Sequence, residues 1–398
     1  MPGKGVVQRQ CNKLNEERRV SVRSRVTFAD FWASAHGNFV IEGGVDASRA
    51  QALVAKLGHE MAREGGATVV LTASTLVENA LVSWVQQTGV GYLRVSSPRY
   101  PNYDYFYGWD DADITNYLMG VAQQQGLADQ ALVQFVAAFV DVLGRCYTPS
   151  LGSMRTLAGY DTAQIAQLGE VHGIASYHAN TLRTAPASTV NALRYLLNWL
   201  ASALPAASLA SETKVNFSTE PLYANETYLV NISSSQPLAA NAYFAHELDR
   251  ALSTGRVARV VLADVPLTSA GPLASSLLGA QMRGAEVGVS LLNASRMFSI
   301  AESDLSALVF GTRVLLLDGG ELSAGDLSVA LQPLGTYQYH YPVLASPNVF
   351  GLDLLLPHGE WSVATMERLR VRPEDTIGCA GVFYGAEGRV VSLARSYS

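Results

Sequence analysis

Residues 36–72, HGNFVIEGGVDASRAQALVAKLGHEMAREGGATVVLT, set a short apolar strand, a Gly-Gly turn, an amphipathic stretch and a second apolar strand in succession. FVI at 39–41 and ATVVLT at 67–72 are apolar without alternation, as strands covered on both faces require. Between them, Arg49 to Arg63 lines up Ala52, Leu53, Leu57 and Met61 on one helical side. STLVENALVSWVQQTG then reads as a helix closed by Gly89, and VGYLRVS at 90–96 as a third strand. Alternation of this kind predicts a parallel sheet with helices on both faces.

The turn has the layout of a phosphate-binding loop. Such a loop reads G-x-x-x-x-G-K-S/T: glycines let backbone N–H groups wrap the phosphates, the lysine neutralises them and the hydroxyl holds Mg2+. Here the register is Gly43, Gly44, Val45, Asp46, Ala47, Ser48, Arg49, Ala50. Ser48 stands at the second glycine, Arg49 at the lysine and Ala50 at the metal-binding hydroxyl, while Asp46 puts negative charge where a polyphosphate would lie. Together these changes argue against tight Mg-ATP binding. The chain's lysines, at 4, 13, 56 and 214, leave no intact motif elsewhere. Two readings stay open: an ordinary strand-to-helix turn in an unrelated α/β protein, or a phosphate loop without its side chains.

A chain of 398 residues with 48% hydrophobic content can build one large domain with an insertion, or two or three domains. Its net charge of −6 gives no overall nucleic-acid signature, although Lys13, Arg18, Arg19, Arg23 and Arg25 cluster near the start. That cluster reads as a solvated tail or arm. Cys11, Cys146 and Cys379 are too scattered for a disulfide framework or a zinc site, which suggests a reducing cytoplasm and no metal. The longest apolar runs, such as ALVQFVAAFVDVL at 131–143, are too short to span a bilayer, so no direct membrane insertion is expected.

From Asp110 the pattern changes. DDADITNYLMGVAQQQG, ADQALVQFVAAFVDVLG, TAQIAQLGEVHGIASYHANTLR and ASTVNALRYLLNWLASAL are amphipathic at helical spacing with no strand among them. Alternation resumes with KVNFSTE, TYLVNIS, the helix LAANAYFAHELDRALSTG, the strand ARVVLADV at 258–265, a further helix and the strand VGVSLLNAS at 287–295. Short strands follow in ALVFG, RVLLLDG and FGLDLLL, and a hairpin lies around 385–388. The expected organisation is a flexible arm at 1–27, a core from 28–109 and 206–398, and an inserted all-helical domain at 110–205.

This order of parts resembles the FtsK and HerA class of P-loop motors, especially the conjugative coupling ATPases of type IV secretion. VTFADFW followed by HGNFVIEGG looks like their approach to the first strand and P-loop. PNYDYFYGWDDADITNYL looks like the start of their helical domain, ARVVLADVP like their Walker B strand, and VGVSLLNAS like the strand ending in a glutamine sensor. The resemblance implies an α/β fold with a RecA-like P-loop NTPase core, a mainly parallel sheet and an inserted all-α domain. Matched position by position, Ala263 occupies the Walker B aspartate place and Asp264 the glutamate place. With a slip of one, Asp264 becomes the metal-shell carboxylate and Val265 replaces the catalytic glutamate. Ala294, beside Asn293, stands at the sensor glutamine.

Other groups carry weaker signals. His172 and His178 lie six apart on a helix, which is not the i,i+4 spacing of zinc ligands, and read as solvated or core histidines. Tyr100, Tyr103, Tyr105, Phe106 and Tyr107 form an aromatic cluster that either stacks on bases or interface groups, or packs the core against the helical domain. Arg368, Arg370 and Arg372 fall at strand spacing, facing either a neighbouring subunit or solvent.

The reading that follows is a catalytically inactive pseudo-ATPase. It would serve as a structural or regulatory subunit in DNA transfer, self-associating or joined to an active paralogous ATPase, with DNA a possible partner. It would bind no cofactor, or Mg-ATP only weakly. Two alternatives stand beside it: a working translocase using Arg49 and Asp264, and a stand-alone protein-binding module.

Overall fold

The structure is a computed structural model that describes residues 4–18, 25–26, 32, 37–61, 66–88, 92–95, 105–204, 226–234, 236–265, 271–292, 308, 311–317, 324–332, 336–344, 361–371, 381–385 and 390–393. It divides into two units: Met1–Ala52 with Leu292–Ser299 and Phe310–Ser398, and Leu53–Leu291 with Ile300–Val309.

In chain order the elements are α1 (Lys4–Arg18), β1 (Arg25–Val26), β2 (Phe39–Gly43), α2 (Asp46–Met61), β3 (Ala67–Thr72), α3 (Thr75–Thr88) and β4 (Tyr92–Val95). Six helices follow without a strand: α4 (Asp111–Gln124), α5 (Gln130–Cys146), α6 (Leu151–Gly159), α7 (Thr162–Val171), α8 (Ser176–Thr184) and α9 (Ala187–Ala203). The alternation returns with β5 (Glu226–Asn231), α10 (Pro237–Ser253), β6 (Val257–Ala263), α11 (Gly271–Met282), β7 (Glu286–Leu291) and β8 (Thr312–Leu316). The remaining elements are α12 (Ala324–Leu331), β9 (Thr336–Leu344), β10 (Trp361–Leu369), β11 (Gly381–Gly385) and β12 (Val390–Leu393).

In the second unit the strand order is β7-β6-β3-β5-β4, every pair parallel. β3 is buried along its whole length, which is why ATVVLT shows no alternation. The helical region is built around α5, whose Leu132, Phe135, Val136, Phe139, Val140 and Leu143 are buried as α4, α7, α8 and α9 pack against it. The ends of these helices are set by side chains. Asp110 accepts from the Asp113 N–H at 2.7 Å, and Asp129 from the Leu132 N–H at 2.7 Å. No single helix among the described residues is long and apolar enough to cross a membrane.

In the first unit β2 pairs parallel with β8, β8 antiparallel with β11, β11 antiparallel with β12, and β12 parallel with β1. A small core of Leu315, Leu331, Val371 and Val382 sits against this sheet. A separate two-stranded ribbon runs through nine residue pairs, from Trp361↔Leu344 to Leu369↔Thr336. Where the sequence suggests a flexible arm, residues 4–18 instead form α1, which packs on β9. Val7, Cys11 and Asn15 are its buried stripe at i, i+4, i+8. The Asn15 side chain donates to the His340 carbonyl and accepts from the His340 N–H, both at 2.8 Å.

Candidate functional site

In the first unit, β2 ends at Gly43 and α2 begins at Asp46, so only Gly44 and Val45 connect them. Gly43 (φ +80°) and Gly44 (φ +64°) both lie in the left-handed region, which is how the chain reverses in so short a span. The Gly43 N–H donates to the Leu292 carbonyl at 3.1 Å. A phosphate loop places four residues between its glycines to wrap the anion. Here Asp46, Ala47 and Ser48 already belong to the helix.

Arg49 is 3% exposed and points back into its own turn. Its Nη1 donates to the carbonyls of Gly43 at 3.2 Å and Gly44 at 2.9 Å, and its Nη2 to the Asp46 carboxylate. A cation in the first turn of a helix opposes the helix dipole; the two carbonyls and the carboxylate compensate it. Ala50 is buried and offers no oxygen, while Ser48 is partly exposed. Lys56 is also turned away from any ligand: its Nζ lies 2.6 Å from Glu60 Oε1, with both side chains no more than 2% exposed. Arg259 Nε sits 3.1 Å from the Oε2 atoms of both Glu60 and Glu286, which extends the buried pair to partly exposed charges in the second unit.

At the other candidate position, β6 closes on buried Ala263, followed by Asp264 and buried Val265. Asp264 takes φ +53°, a conformation that aspartate tolerates better than most residues, and its N–H donates to the Ser290 carbonyl at 2.7 Å. In the same unit, Asn231 closes β5: its Nδ2 donates to Glu78 Oε2 at 2.6 Å and its Oδ1 accepts from the Ser233 N–H at 3.0 Å. Thr72, at the end of β3, accepts on Oγ1 from the Ser74 N–H at 3.0 Å. Carboxyl ends of parallel strands are where open α/β sheets bind ligands. Thr72 and Asn231, which end β3 and β5, and Glu78, in the first turn of α3, are polar groups there that the sequence did not single out; for the first two the available signal was a polar residue ending an apolar strand. Asn293 and Ala294 lie outside the described residues. No group of three or more His, Cys, Asp or Glu among the described residues could hold a metal ion.

No protein-family model and no curated protein matches the sequence. Solved structures do. The bacterial conjugative coupling protein TrwBdeltaN70, in a trigonal form in complex with sulphate, superposes with a TM-score of 0.51 at 11% identity, over 97% of this chain and 92% of that one. The chain has the RecA-like P-loop fold. VirB4 of Thermoanaerobacter pseudethanolicus aligns with a TM-score of 0.44 at 12% identity, over 78% of this chain and 87% of that one.

Tyr105 and Phe106 pack in the second unit with Trp109, Tyr117 and Tyr243, and Trp109 stacks on Tyr243 at 5.1 Å with planes 4° apart. The Trp109 indole N–H donates to buried Glu247, and the Tyr117 hydroxyl to the Ala239 carbonyl at 3.1 Å. Burial pushes the Tyr117 hydroxyl well above the usual tyrosine range. These rings therefore join α4 to α10; Tyr100 and Tyr103 lie outside the described residues. Arg250 strengthens the same junction, with Nη1 2.5 Å from Asp113 Oδ2 and Nη2 donating to the Gly108 carbonyl at 2.6 Å.

His178 is neither solvated nor a core group. Its Nδ1 lies 2.7 Å from Asp141 Oδ2, while Arg145 Nε lies 2.6 Å from Asp141 Oδ1. His172, which caps the end of α7, is exposed. On the ribbon, the Arg368 guanidinium lies 3.8 Å from the Tyr339 ring centroid, and exposed Arg370 donates from Nε to the Thr336 carbonyl at 3.3 Å. Arg372 lies outside the described residues.

Proposed function

We propose that this chain is a catalytically inactive relative of DNA-translocating coupling motors, acting as a structural or regulatory subunit in DNA transfer. One observation carries the reading: the residue at the P-loop lysine position, Arg49, is buried in its own turn and bonded to Gly43, Gly44 and Asp46. A nucleotide would have to displace a guanidinium held by three acceptors, and would meet a turn too short to wrap its phosphates. Ala50 and, in the unshifted register, Ala263 leave out the polar groups that would hold Mg2+. The reading places the protein in the cytoplasm, self-associated or beside an active paralogous ATPase, with side-chain surfaces rather than nucleotide chemistry as its working parts.

Calorimetric titration with Mg-ATP and with a non-hydrolysable analogue, with turnover measured on the same sample, tests it. The expected result is no binding heat and no turnover. Turnover that disappears in Asp264→Ala would overturn the proposal and assign a working ATPase with an atypical loop.

A further inference from the structure

Two basic segments far apart in the sequence meet in one part of the first unit. Helix α1 carries Lys4, Arg9, Lys13 and Arg18 against Glu16 and Glu17, and it packs on β9. The ribbon and the residue after it add Arg368 and Arg370 against Glu367. By sequence, these segments hold six basic residues and three acidic ones, in a chain whose net charge is −6. The local sign is opposite to that of the whole.

Strand alternation adds a second feature. Tyr337, Tyr339 and Tyr341 share one face of the ribbon and stand directly opposite Arg368, Met366 and Ala364. Arg370 continues that face, while Glu367 belongs to the other. The described residues of this face therefore hold three phenol rings, two guanidinium groups and no carboxylate. Tyr339 and Tyr341 lie within 15° of parallel with centroids 6.5 Å apart, and Arg368 stacks on Tyr339. Tyr337 is buried, Tyr339 and Tyr341 are partly exposed, and Met366 and Arg370 are exposed, so Tyr339 and Tyr341 are the rings within reach of a ligand.

Single strands of nucleic acid are bound by this combination of positive charge along the backbone path and aromatic rings on which bases stack. A duplex offers phosphates with its base faces closed, so it would use the charges of this face but not its rings. We infer that the tyrosine and arginine face of the β9–β10 ribbon, with α1 beside it, binds single-stranded DNA. The inference rests on the DNA-handling part of the function proposed above, and is independent of whether the turn at Gly43 holds a nucleotide.

Fluorescence anisotropy of a labelled oligothymidylate and of a duplex of equal length, with the full chain over a range of salt, tests it. The single strand should bind more tightly than the duplex, with affinity falling as salt rises. Tyr339→Ala and Tyr341→Ala should each weaken binding about tenfold. Arg370→Gln, a change at an exposed side chain, should lower the salt slope by about 0.7. Unchanged affinity and slope in these variants would overturn the ribbon site while leaving the DNA-transfer reading intact. Failure of the wild-type chain to bind either oligonucleotide would overturn the ribbon site and remove DNA as a direct partner.

Discussion

Arg49 Nη1 lies 2.9 Å from the carbonyl oxygen of Gly44, so the side chain in the P-loop lysine position closes the turn that precedes it. Two glycine carbonyls and one carboxylate converge on a single guanidinium, and each contact is charge-assisted. Removing the cation would leave the carbonyls of a left-handed turn without their partner. Arg49→Ala should destabilise the protein by about 2 to 3 kcal/mol. Urea unfolding monitored by circular dichroism reads this directly; a cost within about 0.5 kcal/mol of zero, the range of an ordinary surface change, would contradict it.

Lys56 and Glu60 lie one helical turn apart and are both out of water. Breaking such a pair costs far more than replacing it, because a lone buried charge is left behind. Glu60→Gln should cost about 3 kcal/mol or more, and the double change Lys56→Met, Glu60→Leu considerably less. Equal costs for the single and the double variant would mean that the pair is not desolvated.

Asp141 receives Arg145 and His178 on its two oxygens. Burial pushes its carboxyl up, but the hydrogen bonds from Arg145 and His178 and their charges outweigh that and hold it below the ordinary value of 3.8. A depressed folded value means that the ionised carboxylate contributes stability which is fully present above the unfolded pKa and is lost as pH falls through the folded one. The loss should therefore begin near pH 4 and grow below it. Asp141→Asn should remove this part of the acid sensitivity; midpoints measured in urea from neutral pH downward would show the two curves converging. Parallel curves would refute the assignment.

Trp109 fills the junction between α4 and α10, stacked on Tyr243 and bonded to Glu247. Trp109→Ala should cost about 3 to 5 kcal/mol and leave a buried carboxylate without its indole donor. Limited proteolysis should then cut near residues 105–110, which should resist cleavage in the wild-type chain. Resistance equal to wild type would show that the junction does not depend on the indole.

Much of the sheet was legible in the chain. β3, β6 and β7 appear as apolar runs because both of their faces are covered, and the helices between them keep their stripes. The start of α2 was less legible. DAS at 46–48 has the composition of a loop, yet Asp and Ser also suit a first helical turn, where their side chains complement the unpaired N–H groups. The substitutions in the loop were readable as letters, but the direction of the Arg49 guanidinium depends on carbonyls that only the folded turn aims at it. The ribbon was hidden for another reason. TYQYHYPVL alternates rings with polar residues and carries Pro342, which argues against a strand unless that strand lies at an edge. Helix α1 was hidden by its charges; its buried stripe of Val7, Cys11 and Asn15 makes sense only with β9 beside it.

The grip of Asn15 on His340 has a consequence for how copies of this chain can meet. A carboxamide presents one donor and one acceptor in the same arrangement as a peptide group, and here both are matched to the backbone of a single residue. Those backbone groups are the ones an incoming strand would otherwise pair with. The N-terminal helix thus acts as a stopper at mid-length on β9, and blocks strand addition at that edge of the ribbon. Along that edge, a partner must be chosen by side chains.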